Sequence, residues 1–272
     1  MPELPEVETV KETLKKQILN KKIIDVQVYY NNIIAYPKVE EFINNLKEQT
    51  IIDIKRRGKW LMFELNDYYL LSHLRMEGKF YIKTNEPLSK HQHVVFKFED
   101  EELRYHDTRK FGKMYLYKKD EVYNNKPLNE LGYEPFDDNL NVKYLKEKYK
   151  NKKTPIKTVI LDQRIITGLG NIYADEVLFL SKINPLTKAC ELNEKELQAI
   201  IDNSKIVLEK AIELGGTTIK SYESSEGVHG RFQNELLVHT KKNCPNCNSD
   251  ILKIRVGGRG TYYCPCCQKK HN

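Results

Sequence analysis

Two groups of residues in this 272-residue chain have types and spacings suited to chemistry. The first is the opening stretch, Met1-Pro2-Glu3-Leu4-Pro5-Glu6-Val7-Glu8. With Met1 trimmed, Pro2 carries a free secondary amine. An α-amine titrates near ~7.7–8.0 and a lysine near ~10.4, so at pH 7 about a tenth of the former is neutral, and well under about a thousandth of the latter. A neutral amine attacks an aldehyde-like carbon to give a Schiff base. From a secondary amine the product is an iminium with no N–H to lose, so it stays cationic and draws electrons. Glu3 and Glu6 stand beside that amine as candidate acid–base groups. The second group is Cys244-x2-Cys247 and Cys264-x2-Cys267, separated by 16 residues. That two-knuckle spacing folds four thiolates around one tetrahedral Zn²⁺. Four ligands leave no open position for a reacting molecule, so the zinc would be structural. Cys266 adjoins Cys267, but a knuckle needs two intervening residues, which selects Cys264 with Cys267.

The elements around these groups can be read from pattern. Pro5 and the early acidic residues also suit an ordinary helix start. Val7, Val10, Leu14 and Ile18 continue it at helical spacing. Ile23–Tyr30 alternates as a strand, and Val39–Lys47 reads as a short helix. Strand-like runs follow at Ile51–Ile54, Lys59–Leu65, Tyr68–Leu74, Lys79–Lys83, His93–Phe98, Leu103–His106 and Lys113–Tyr117. Turns such as Asn66-Asp67 and Glu99-Asp100 separate them, which predicts an antiparallel β-sandwich behind one leading helix. From about Asn139 the pattern becomes helical, with helices from Val142 to Tyr149, around Thr158–Asp162 and over Ala174–Leu180. Asn193 and Glu196 form a capping box for a long helix that Gly215-Gly216 ends. Cys190, just before it, reads as an inert buried thiol. Val256–Thr261 is a hairpin tip between the cysteine knuckles, and Arg259 on it would meet a groove or phosphates. The fold class is therefore α+β, with domains expected at 1–135, 136–235 and 236–272.

Composition narrows the function. The chain is 40% hydrophobic and 31% charged, as soluble globular proteins are. Its N-terminus is acidic with no apolar h-region, so no signal peptide is expected and the cytoplasm is the expected location. No run of ~18 apolar residues predicts a membrane span. Six cysteines without a secretory signal favour metal ligation over disulfides. Charge is uneven: Asn141–Lys157 holds seven lysines against one glutamate, and 241–272 holds seven Lys/Arg against one aspartate. Two such blocks flanking a helical region point to a polyanion. Gly168-Leu169-Gly170-Asn171 opens onto a helix, and N–H groups there bind phosphate; it matches neither a P-loop nor a dinucleotide motif. His91-x-His93 points two rings the same way on a strand, but no companion carboxylate is spaced to complete a metal site.

Pro-Glu-Leu-Pro-Glu-Val-Glu-Thr at positions 2–9 resembles the N-terminus of formamidopyrimidine-DNA glycosylases, bacterial enzymes that excise oxidised purines. The Lys59 segment, the Arg109–Phe111 loop, the Gly168–Asn171 turn and the zinc ribbon follow in family order, so the resemblance spans the chain. It implies a helix–two-turn–helix DNA-binding region, one structural Zn²⁺, and a monomeric glycosylase and AP lyase acting on double-stranded DNA containing oxidised bases. Pro2 and Glu3 would be catalytic, with Glu6 a further candidate. Lys59 would assist β-elimination, and Arg259 δ-elimination. His91, Lys152, Lys157 and Asn171 would hold DNA, alongside Lys153. Arg109 would reach the orphaned cytosine, while Phe111 and Met76 would wedge the base stack. The Ser221–Phe232 loop would close over the flipped base. Two other readings stay open. One is the related endonuclease VIII type, for oxidised pyrimidines, whose members begin Pro-Glu-Gly-Pro where this chain has Leu4. The other is a non-catalytic zinc-ribbon DNA-binding protein.

Overall fold

In the computed structural model, which describes residues 1–217 and 230–270, the chain forms two compact units. The first is built on Met1–Asn129. It opens with helix α1 (Leu4–Ile18), which has proline in its first turn and Lys15 and Lys16 in its last. Val7, Val10, Leu14 and Ile18 form the buried stripe, as their spacing predicts. Strands β1 (Asp25–Val28) and β2 (Ile34–Tyr36) precede helix α2 (Val39–Leu46). Then come β3 (Asp53–Arg57), β4 (Trp60–Glu64), β5 (Tyr68–His73), β6 (Lys79–Lys83), β7 (Gln92–Lys97), β8 (Glu102–His106) and β9 (Lys113–Lys118).

These strands make a four-stranded sheet, β1-β7-β8-β6, and a five-stranded sheet, β2-β9-β5-β4-β3. One core joins them: Val26, Val94, Phe96 and Tyr105 from the first sheet meet Leu61, Phe63, Leu70 and Met114 from the second, with α1 contributing Val7 and Leu14. Asn66-Asp67 is the two-residue corner between β4 and β5, and Glu99-Asp100 lies between β7 and β8, as predicted. All pairings are antiparallel except β2 with β9, which is parallel.

The structure shifts two local readings and adds one strand. The strand expected at Ile51–Ile54 runs instead over Asp53–Arg57, because Ile51 bonds the Asn20-Lys21 turn after α1 and the ladder with β4 begins at Asp53. Lys59 is not in a strand. Arg57 pairs with Trp60, so Gly58-Lys59 is a two-residue hairpin corner, with Gly58 at φ +58° as a type II′ turn requires at its first position. β2 has only three residues and no alternation to reveal it.

The second unit comprises Glu130–Thr217 and Arg231–Asn272. Its helices are α3 (Val142–Tyr149), α4 (Ile156–Val159), α5 (Asn171–Leu180) and α6 (Glu194–Glu213). Asn193 and Glu196 cap α6 reciprocally, at 3.1 and 2.9 Å. α4 begins and ends earlier than the Thr158–Asp162 segment read from sequence, and Cys190 is half-exposed rather than buried. Strands β10 (Leu252–Val256) and β11 (Arg259–Tyr263) pair through a Gly257-Gly258 corner. The 236–272 segment folds within this unit. No described helix is long and apolar enough to cross a membrane.

Candidate active site and nucleic-acid interface

The N-terminal group sits on an ordered helix start. Glu3 is 2% exposed, and its N–H donates to the Glu6 carboxylate at 2.8 Å. Glu6 therefore acts as a reciprocal cap: its oxygen fixes the backbone of Glu3, and the Glu3 side chain accepts in return from the Glu6 N–H. Pro2 is buried beside it, and Met1 is exposed.

Lys59, on its hairpin corner, is buried at 5% exposure. Register places Trp60 opposite His73, and their rings meet edge-on at 4.8 Å. Burial holds the His73 imidazole well below its ordinary range, and the cations Arg75 and Lys59 add to this. The neutral ring accepts the Arg75 N–H on Nδ1 at 2.9 Å. A neutral imidazole thus underlies the corner that carries Lys59, a neighbour that sequence pattern did not single out.

The Arg109–Phe111 loop is organised by Asp107, which is fully buried. Its carboxylate accepts the N–H groups of Arg109 at 3.0 Å and Gly112 at 2.8 Å. His93 Nε2 bonds the Asp107 carbonyl at 2.8 Å, so the two rings of the His-x-His motif serve different partners. His91 is half-buried against His106, with ring centroids 5.7 Å apart. Gly112 is required by contact: a Cβ there would lie 1.7 Å from the Tyr105 hydroxyl. Arg109 and Phe111 project to solvent as a stacked pair, the guanidinium 4.8 Å from the ring centroid and Phe111 50% exposed. Met76, on the turn after β5, is also exposed.

In the second unit the turn before α5 is cross-braced. Gln163 accepts the Gly168 N–H at 2.9 Å and donates to the Leu169 carbonyl at 2.8 Å. Lys157 departs from expectation. Its ammonium is fully buried, 2.6 Å from Asp175 Oδ1 and 2.8 Å from the Asn171 carbonyl. It therefore supports the turn from beneath and has no surface to offer a phosphate. Asn171 donates to the Gly260 carbonyl at 2.9 Å, tying the start of α5 to the β10–β11 hairpin. Lys152 is half-buried and Lys153 exposed at the end of α3. Arg259 is exposed opposite Val256 and lines, with Thr158, Leu161 and Asp162, a groove of ≈ 220 Å³.

Two adjacent acids on α5 were not anticipated. Asp175 Oδ2 meets His239 Nδ1 at 2.7 Å and accepts the Tyr262 N–H at 3.2 Å. Glu176 accepts three consecutive backbone N–H groups, from Leu237, Val238 and His239, at 2.7, 3.1 and 2.8 Å. Burial pushes the Glu176 carboxyl above its ordinary range in spite of those bonds. The sequence signal was there: Asp-Glu inside the otherwise apolar run Ala174–Leu180.

The four sulfurs of Cys244, Cys247, Cys264 and Cys267 lie within 4.8 Å of one another, and Cys266 is outside the cluster. Sulfurs about 2.3 Å from a tetrahedral zinc stand about 3.8 Å apart. The observed edges Cys244–Cys267, Cys247–Cys264 and Cys247–Cys267 are 3.7, 3.5 and 3.6 Å. The cluster therefore fits one structural Zn²⁺, and it is the only group of three or more His, Cys, Asp or Glu so placed among the described residues.

Comparison with known proteins finds matches along nearly the full chain. Residues 1–114 match the formamidopyrimidine-DNA glycosylase N-terminal domain, 131–223 the H2TH domain of the same enzymes, and 241–270 a zinc finger found in these enzymes and in isoleucyl-tRNA synthetase. A formamidopyrimidine-DNA glycosylase of Oceanobacillus iheyensis is 49% identical over 98% of each chain. One from Bacillus cereus is 48% identical over 99% of this chain and all of its own. Among solved structures, a Lactococcus lactis variant in complex with a Fapy-dG containing DNA has a TM-score of 0.92 and 42% identity, over 99% of this chain and 100% of that one. The L. lactis protein with an abasic site containing DNA gives 0.92 at 41%, with the same coverage.

Proposed function

Because the chain belongs to the formamidopyrimidine-DNA glycosylase family, whose members are DNA glycosylases and AP lyases, we propose that it excises oxidised purines, 8-oxoguanine and formamidopyrimidines, from duplex DNA in base excision repair. The damaged nucleotide is extruded from the stack, which favours bases that are already costly to keep paired. With Met1 removed, the Pro2 nitrogen attacks C1′. The base leaves with the glycosidic electron pair, and Glu3 protonates the opening sugar ring. The resulting iminium acidifies the adjacent C2′ proton. Lys59 assists its removal as the 3′ phosphate departs, and Arg259 assists the second, δ-elimination that leaves a one-nucleotide gap. Arg109, Phe111 and Met76 fill the space the base vacates, and Lys152, Lys153 and Asn171 hold the backbone. Zinc takes no part in the reaction: four thiolates keep the β10–β11 hairpin folded so that Arg259 is presented.

One observation carries this reading: the Glu3 carboxyl is buried directly after Pro2, on a backbone that Glu6 holds at 2.8 Å. The reciprocal cap with Glu6 keeps that acid in a fixed place next to Pro2. The test is to mix the purified protein with a duplex carrying 8-oxoguanine opposite cytosine and add borohydride. A covalent adduct mapped to Pro2 is expected, on protein whose intact mass is one methionine short. Absence of an adduct from zinc-loaded protein lacking Met1, or activity confined to Met1-bearing protein, would overturn the mechanism. Preferential cleavage at an oxidised pyrimidine would overturn the substrate assignment.

A further inference from the structure

Arg56, near the end of β3, makes two contacts that join separate parts of the first unit. Its Nε donates to Glu8 Oε2 on α1 at 2.7 Å, and its Nη1 donates to the Gly58 carbonyl at 2.9 Å. The side chain is 9% exposed, so this fork is shielded from competing water. Glu8 is held from its other side by Lys11. Burial pushes the Glu8 carboxyl up, but the hydrogen bonds from Lys11 and Arg56 outweigh it and leave it below the ordinary range. The Gly58 carbonyl belongs to the peptide plane that leads directly into Lys59. Arg56 ties that peptide plane to Glu8 on α1, the helix that follows directly on Glu3.

We propose that Arg56 is the positioning residue for Lys59: its guanidinium fixes the Gly58-Lys59 corner against α1, and so sets where the Lys59 ammonium stands relative to Pro2. The inference rests on the function proposed above, and it assigns to Arg56 a step-specific effect. Formation of the imine uses Pro2 and Glu3, which lead directly into α1. The elimination that follows uses Lys59, which is carried by the corner. Arg56 therefore matters to the second step more than to the first. A lysine in its place can hold Glu8 as a point charge but cannot reach the carbonyl at the same time with a rigid planar fork.

The experiment compares wild type, Arg56→Lys and Arg56→Gln under single-turnover conditions on a duplex with a preformed abasic site. Imine formation is read by borohydride trapping and elimination by strand cleavage, with duplex Kd and melting temperature measured in parallel. A displacement of about 1 Å costs up to roughly 100-fold in rate, so both variants should cleave about 10- to 100-fold more slowly while trapping and Kd stay within about 3-fold. Cleavage by Arg56→Lys at the wild-type rate would overturn the inference, because the fork to Gly58 would then be dispensable. An equal fall in trapping and cleavage would also overturn it, marking Arg56 as a general support of the fold. Wild-type protein that neither traps nor cleaves would sink the proposed function, and this inference with it. A competent wild type beside an unaffected Arg56→Lys sinks the inference alone.

Discussion

Replacing Glu176 with alanine should loosen the zinc ribbon from α5. The carboxylate is 1% exposed and accepts three N–H groups at 2.7, 3.1 and 2.8 Å. Removing it leaves the buried Val238 N–H unsatisfied, at about 1–3 kcal/mol, while the partly buried Leu237 and His239 donors recover some hydration and lose about 1 kcal/mol each. Together these come to about 3–5 kcal/mol, and the cavity that alanine leaves beneath the segment adds to the loss. Against this stands the removal of a carboxylate whose burial is unfavourable, as its raised pKa direction shows. Glutamine separates the two effects. It sheds the charge and keeps one accepting oxygen, so its loss should be about half that of alanine. For a unit of this size about 1 kcal/mol moves Tm by roughly 4 °C, so alanine should lower the zinc-release transition by roughly 10–20 °C and glutamine by roughly 5–10 °C. Heating with a colorimetric zinc chelator reads that transition directly. An alanine variant within about 4 °C of the parent would refute the claim that Glu176 anchors the ribbon.

Glu3→Gln should abolish base excision while leaving lesion-duplex Kd within a few-fold; unchanged single-turnover excision would remove Glu3 from the mechanism. With zinc bound, two of the six cysteines, Cys190 and Cys266, should react quickly with a thiol reagent, and all six after chelation in denaturant. A third fast thiol in the loaded protein would show that the quartet is assigned wrongly. Gly112→Ala should displace the Arg109–Phe111 loop, since the new Cβ would stand 1.7 Å from the Tyr105 hydroxyl; overpacking of this kind costs about 1–3 kcal/mol, and discrimination of the base opposite the lesion should weaken. Glu64 is pulled down to about 2, first by its hydrogen bond from Lys55 and then by Lys119. A depressed carboxyl stabilises the fold above its unfolded value, so this contribution is present above about pH 4.5 and is lost as pH falls towards 2. Glu64→Gln should flatten the acid side of a stability–pH curve across that window, and an unaltered slope would contradict the assignment.

Much of the fold was legible because its signals are local. Two-residue corners such as Asn66-Asp67 and the Gly257-Gly258 tip announce hairpins, and the cysteine spacing announces its own geometry. Features that depend on a distant partner were not legible. Nothing near Lys157 tells that its charge meets Asp175, 18 residues on, so a lysine in a basic block read as a phosphate contact. Nor does composition tell that Glu6 caps the backbone of Glu3; the 2.8 Å bond to the Glu3 N–H shows it. β2 escaped notice because its partner β9 lies far along the chain and pairs in parallel. Asp175 and Glu176 left a trace, two acids in an apolar helix. Their partners, between Leu237 and Tyr262, become apparent only when the ribbon is seen packed on α5.

That packing gives metal binding and nucleic-acid binding a physical route of coupling. Zinc held by Cys264 and Cys267 would fix the end of β11, whose Tyr262 N–H bonds Asp175; Asp175 holds Lys157, and Lys157 holds the carbonyl of Asn171 at the start of α5. Asn171 closes the circuit through Gly260. If zinc occupancy strengthens duplex binding by some factor, the duplex must strengthen zinc binding by the same factor, because the coupling free energy belongs to both equilibria. A protein searching undamaged DNA would then retain its zinc better than one free in solution.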